Sequence, residues 1–226
     1  MSIHLQLEIR HLQRLLLGLG GSVEQMVGDA VRALEQKDTV LARQVVTRDD
    51  MIDRAEVEIE EECLKALALY QPVATDLRCI VTVLKINNDL ERIADLAANI
   101  AERAVNLVEL PPPVLEFDFQ EMAQKVRRML NRSLDSLVRR DAEMARLVME
   151  ADDRVDAMHG SIYRLVSTAA AAHPEHTIGF LQMLSISRNL ERIADHATNI
   201  AEDVIYMLEG EIVRHQGSQK GNPPKG

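Results

Sequence analysis

Apolar residues recur along nearly the whole chain at spacings of three and four, the period of helices that lay one face on a core. The pattern predicts six helices, at about His4–Glu35, Thr39–Gln71, Thr75–Leu107, Phe117–Arg139, Ala142–Ala172 and His176–His215. Each break has a local cause. Lys37-Asp38-Thr39 reads as a turn with a helix cap, Pro72 and His173-Pro174 stop the second and fifth helices, and Pro111-Pro112-Pro113 makes a stiff linker. Short connections make sequential helices antiparallel. The expected fold is therefore all-α: one antiparallel three-helix bundle over 1–110, a second over 114–215, and a polar, Gly- and Pro-rich tail at 216–226 expected to be disordered. Gly18, Gly20, Gly21 and Gly28 loosen the first helix and permit a bend. Gly18-Leu19-Gly20-Gly21 has no strand before it and no Gly-Lys-Ser/Thr after it, so it reads as close helix packing and not as a phosphate loop.

The two halves are copies. Leu90–Glu102 returns as Leu190–Glu202 with only Leu96→His196 and Ala98→Thr198 changed, and Asp49-Asp50-Met-Ile-Asp53 returns as Asp152-Asp153-Arg-Val-Asp156. A structural unit written twice carries its chemistry in pairs. On a helical wheel Leu90, Ile93, Ala94, Ala97, Ile100, Ala101 and Ala104 share one face, expected to be core. Glu91, Asp95 and Glu102 line a strip beside it, and Arg92 and Arg103 point further round, leaving the Glu91/Asp95 pair without a cation over it.

Composition narrows the chemistry. Aromatics are 3% of the chain and Trp is absent, which suits helices and gives no sheet signal. A formal charge of −10 argues against nucleic acid or anionic lipid as a general partner. No apolar run reaches the roughly 18 residues of a membrane span, and the amino terminus has no secretory signal pattern. Cys63 and Cys79 fit no metal spacing and sit among apolar residues, so they read as reduced core thiols in a cytoplasmic protein.

The carboxylates form a constellation. Asp49/Asp53 and Glu91/Asp95 in the first half, and Asp152/Asp156 and Glu191/Asp195 in the second, are all i, i+4 pairs on the middle and third helices. Set side by side, the pairs of each half bring four carboxylates to one surface, an oxygen-rich site for a metal ion. Glu56 extends the first strip, and His159 takes the equivalent place in the second, where it could be an imidazole ligand. The alternative is a set of solvated helix faces, since like charges at i, i+4 cost only about 0.2 to 0.5 kcal/mol per pair. Ferritin-like di-iron sites need Glu-x-x-His on two helices, which this chain does not supply. Nor is there a Gly-x-Ser-x-Gly or His-Glu-x-x-His, so no enzyme chemistry is expected.

Asn88-Asp89-Leu-Glu91-Arg-Ile-Ala-Asp95 with Asn99-Ile-Ala-Glu102, its second copy Asn189-Leu-Glu191-Arg-Ile-Ala-Asp195-His196 with Asn199-Ile-Ala-Glu202, and the Asp49/Asp53 and Asp152/Asp156 pairs together resemble the PhoU family of bacterial phosphate-signalling proteins. The resemblance covers about residues 3–214. It implies two three-helix bundles related by a pseudo-twofold. It also implies metal clusters on the acidic motifs in some members, with Fe, Zn, Mn or Mg as the ions to consider. Carried over, the ligand set is Asp49, Asp53, Glu91 and Asp95, then Asp152, Asp156, Glu191 and Asp195. The implied function is negative regulation of phosphate uptake and of the phosphate-starvation response, through contact with a phosphate-specific ABC transporter and a membrane sensor histidine kinase. The second copy has no counterpart of Asp76-Leu77-Arg78, carrying Thr177-Ile178-Gly179 in that region, so a partner contact there would be one-sided. His196 points about 140° away from Glu191 and is not expected to be a ligand. A carboxylate-bridged metal store or metalloenzyme is the rival reading. A transcription factor is disfavoured, because no basic recognition helix is visible. Duplication within the chain permits a monomer, and exposed helix faces equally permit a homodimer.

Overall fold

A computed structural model describes residues 3–111, 115 and 117–213. Six helices follow one another: α1 (Ile3–Gln36), α2 (Thr39–Tyr70), α3 (Ala74–Val108), α4 (Phe119–Arg139), α5 (Ala142–Ala172) and α6 (Thr177–Glu209), with a single 3-10 turn at Pro174–His176 before α6. The described residues contain no strand. Caps fix the helix starts. The Asp38 carboxylate accepts from the backbone N–H groups of Val40 and Leu41 at 3.0 Å, and Asp141 accepts from Met144 at 3.0 Å in the second copy. Asp118 does the same for α4 through the Glu121 N–H at 2.8 Å.

The sixth helix is shorter than its apolar spacing predicts. It stops at Glu209 because Gly210 adopts φ 78°, and its N–H closes on the Tyr206 carbonyl at 2.9 Å. Glycine enters that left-handed region without the steric cost of a Cβ. His215, Pro112, Pro113 and the tail expected over 216–226 lie outside the described residues.

Helices α1, α2 and α3 pack together, as do α4, α5 and α6, and the two sets meet along α3 and α6. Cys79 lies against Met207, Lys85 against Asp203, Asp89 against His196 and Arg103 against Gln182, so α6 runs antiparallel to α3. All seven expected core residues of α3 are buried, and Leu96 and Ala98 are buried as well. An α3 buried on more than its own bundle's side has a simple cause: it fills the centre of the molecule. The core is continuous across both halves, and α1 also packs on α4.

Small residues set how closely α1 and α4 approach. A Cβ on Gly20 would stand 2.6 Å from the Leu134 Cδ1, whereas nothing lies within 4 Å of such an atom on Gly18 or Gly21. Close packing is thus a property of Gly20 alone in that run. Cys63 and Cys79 are unpaired and buried. Burial pushes both thiols up, Cys63 to about 12, which leaves them unreactive.

Gly20→Val should overpack this crossing and cost about 1 to 3 kcal/mol in chemical denaturation. Adding Leu134→Ala should recover part of that loss. Full additivity of the two changes would show that the side chains do not meet.

Candidate functional site

The acidic pairs are brought into register by one hydrogen-bonded crossing in each half. In the first, the Asn87 Nδ2 on α3 donates to the Glu56 carbonyl on α2 at 2.8 Å and approaches the Glu56 Oε1 at 3.3 Å. In the second, the His159 Nδ1 on α5 and the Ser187 Oγ on α6 are 2.7 Å apart. Glu56 and His159 are equivalent positions, as are Asn87 and Ser187, so different chemistry ties the same two helices at the same place. One turn away on each helix of these antiparallel pairs come Asp53 and Glu91, or Asp156 and Glu191, and a turn further Asp49 and Asp95, or Asp152 and Asp195.

The electrostatics report that this register is formed. Asp49 is pushed up to about 6, first by burial and then by Asp95, Asp53, Glu91 and Asp50. Asp152 is pushed up to about 7, first by burial and then by Asp156, Asp195, Asp153 and Glu191. Burial is also the leading cause for Glu91 and Glu191, each raised further by the aspartates beside it, and for Asp195, raised further by Asp156. A side-chain oxygen of Asp49 and the matching oxygen of Asp152 are buried without a hydrogen-bond partner. An orphaned carboxylate oxygen among other carboxylates is costly as it stands, and it is the donor a hard cation takes. Among the described residues, however, no three acidic, imidazole or thiol groups stand in metal-ligating geometry. In donor chemistry the set suits a hard cation, but its side chains are not closed around a common point.

One expectation is corrected here. Arg92 does reach the acidic strip: its Nε is 3.4 Å from the Glu91 Oε2 and its Nη1 is 3.5 Å from the Asp95 Oδ2. Helical angle locates a Cβ, but a long guanidinium side chain folds back over the neighbouring turn. Arg188 and Arg192 likewise oppose the rise at Glu191. His159 is held by Ser187 beside the second cluster, and burial, with Arg188, lowers its pKa. His196 does turn away, and its Nδ1 lies 2.8 Å from the Asp89 Oδ1 across the α3/α6 interface. Wheel geometry gave no sign of the Asp89 contact, although a histidine replacing leucine on a buried strip was the available signal.

Comparison with known proteins gives a consistent picture. A PhoU domain model matches residues 16–104 and again 119–204. A protein of Pseudomonas aeruginosa named phosphate-specific transport system accessory protein PhoU homolog is 40% identical over 211 residues, 93% of this chain and 87% of that one. An Aquifex aeolicus protein of the same name is 40% identical over 211 residues, 92% of this chain and 95% of its own. The crystal structure of PhoU from P. aeruginosa superposes with a TM-score of 0.86 at 38% identity, covering 91% of this chain and 99% of that one. That of the phosphate transport system regulatory protein PhoU from Streptococcus pneumoniae gives 0.85 at 28% identity, covering 92% and 99%. With a PhoU domain in each half, a matching six-helix fold and relatives this similar along nearly the whole length, the chain belongs to the PhoU family.

Proposed function

We propose that this chain is a non-enzymatic regulator of phosphate uptake, working in the cytoplasm through contacts with a phosphate-specific ABC transporter and a sensor histidine kinase and restraining the starvation response when phosphate is plentiful. The observation that carries the reading is its 40% identity, along 93% of its length, to a phosphate-specific transport system accessory protein. Among the described residues no helix is long and apolar enough to cross a membrane, so membrane partners would be reached by surface contact. Deleting the gene in its host should raise phosphate uptake and starvation-gene expression in phosphate-rich medium. Unchanged levels of both would overturn the proposal.

The acidic clusters are proposed to hold metal, with Asp49, Asp53, Glu91 and Asp95 around one site and Asp152, Asp156, Glu191 and Asp195 around the other. Support comes from the orphaned oxygens of Asp49 and Asp152 and from the mutual rise of the carboxyls. Bound iron, zinc, manganese or magnesium would add positive charge beyond that of Arg92 in the first cluster and of Arg188 and Arg192 in the second. Metal analysis by mass spectrometry on untagged protein should find near-stoichiometric metal that is lost in the Glu91→Gln/Glu191→Gln double variant. Loss of bulk metal uptake in that variant, with partner binding intact, would favour a metal store instead.

Protons compete for the same oxygens. A carboxyl whose pKa is raised on folding contributes stability that is complete below its unfolded value, 3.8 for aspartate, and is lost as pH rises through about 6 for Asp49 and about 7 for Asp152. Metal-free protein should therefore melt at a higher temperature near pH 5.5 than near pH 8, by roughly 2 to 4 °C for each kcal/mol recovered. Asp152→Asn should flatten that dependence and raise the metal-free melting temperature near pH 8, since it removes a charge without changing the shape. A melting temperature that instead falls from about pH 8 to pH 5.5 would contradict the sign of the shifts.

A further inference from the structure

Away from both acidic clusters, the crossing of α1 and α4 carries charge of the opposite sign. A cavity of about 410 Å³ opens between the two helices, lined among others by Asp29, Arg32, Glu35, Gln120, Gln124 and Arg127. A second, of about 370 Å³, shares Gln124 and Arg127 with it and adds Glu24, Arg128, Asn131 and Arg132. From Gln120 to Asn131 the two together run roughly 16 Å along α4, at about 1.5 Å per residue.

The arginines here are built in. Asp29 is 5% exposed, and its two oxygens hold the Arg32 Nη2 at 2.7 Å and the Arg48 Nη1 at 2.6 Å. The buried acid fixes Arg32 at the wall of the inner cavity and is itself neutralised by two cations. Arg127 crosses Gly28: a Cβ on that glycine would lie 3.1 Å from the Arg127 Cζ. A side chain there would press the guanidinium a few tenths of an ångström away from α1, one turn from Arg32. Opposing the arginines are Glu24, 3.6 Å from the Arg127 Nη2 and accepting from the Asn131 Nδ2 at 3.2 Å, and Glu35, which burial and then Asp118 push up. Four arginines, Arg32, Arg127, Arg128 and Arg132, thus line the two cavities with three carboxylates, Glu24, Asp29 and Glu35, and Arg48 pairs with Asp29 from beside them, on a chain whose net charge is −10.

We propose that this groove binds a small molecule carrying a chain of phosphoryl groups, spanning the Arg32/Arg127 cavity and the Arg127/Arg128/Arg132 cavity. Guanidinium forks match phosphoryl oxygens, and Gln124 and Asn131 add neutral donors between them. A single tetrahedral anion would occupy one cavity and leave the second row of arginines unmatched. Glu24 occupies the place of one such anion and is the group the ligand displaces. The assignment is independent of the acidic clusters and of the regulatory role proposed above.

The test is titration calorimetry on the full-length chain in buffer free of divalent metal, with tripolyphosphate, ATP and inorganic phosphate as probes. Saturable binding of tripolyphosphate or ATP, at least about tenfold tighter than inorganic phosphate, is the expected result. The tighter of the two probes tells an inorganic chain from a nucleotide. Arg127→Gln should weaken binding about tenfold or more, and Glu24→Gln should tighten it. Gly28→Ala separates ligand binding from folding: alanine favours the helix, so the melting temperature should hold or rise while the displaced guanidinium costs affinity. No saturable heat with either phosphoryl chain, or affinity unchanged in both Arg127→Gln and Gly28→Ala, would overturn the proposal.

Discussion

The antiparallel packing of α3 on α6 is the contact on which the rest of the molecule depends. Leu90, Ile93, Ala94, Ala97, Ile100 and Ala101 of α3, and Leu190, Ile193, Ala194, Ala197, Ile200 and Ala201 of α6, are all fully buried. Alternating large and small side chains let the two helices settle closely while each also serves as the floor of its own bundle. Because the acidic residues stand on the flanks of these same two helices, the burial that secures the centre also fixes where the carboxylates emerge. A large-to-alanine change at Ile93 or Ile193 would open a cavity costing about 2 to 5 kcal/mol and would loosen both levels at once.

Charge is sorted by face in a way the total of −10 conceals. The carboxylates gather where α2 meets α3 and where α5 meets α6, partly buried and raising one another's pKa values. The arginines of α4 gather with Arg32 at the crossing of α1 and α4. Each grouping is held by a buried or capped polar contact: Asn87 on Glu56 and Ser187 on His159 for the acids, Asp29 on Arg32 and Arg48 for the bases. Neither could be maintained by exposed ion pairs alone, which contribute about 0 to 1 kcal/mol each.

The duplication is strict in the core and relaxed at the seams. At one edge of the α3/α6 interface Lys85 meets the buried Asp203 at 2.8 Å and His196 meets Asp89, while at the other Arg103 donates to the Gln182 Oε1 at 3.3 Å. Glu56 and His159 differ in the same way beside the two acidic clusters. The two edges and the two clusters are therefore chemically distinct despite their shared backbone plan.

The sequence by itself determined the six helices, the core strip of α3, the doubled plan and the eight carboxylates, because helical period, proline breaks and repeated motifs are all local. Asp38 announced its helix start for the same reason. What only the tertiary structure decided depends on where side chains end. Arg92 folds back onto Glu91 and Asp95, His196 crosses to Asp89, and Gly20 and Gly28 serve a packing contact and an arginine. The end of α6 at Gly210 belongs here too, since apolar spacing continued past a glycine whose left-handed conformation stops the helix. A wheel assigns each residue a direction from its own axis. Contacts made by long side chains across two axes require the helices to be placed first.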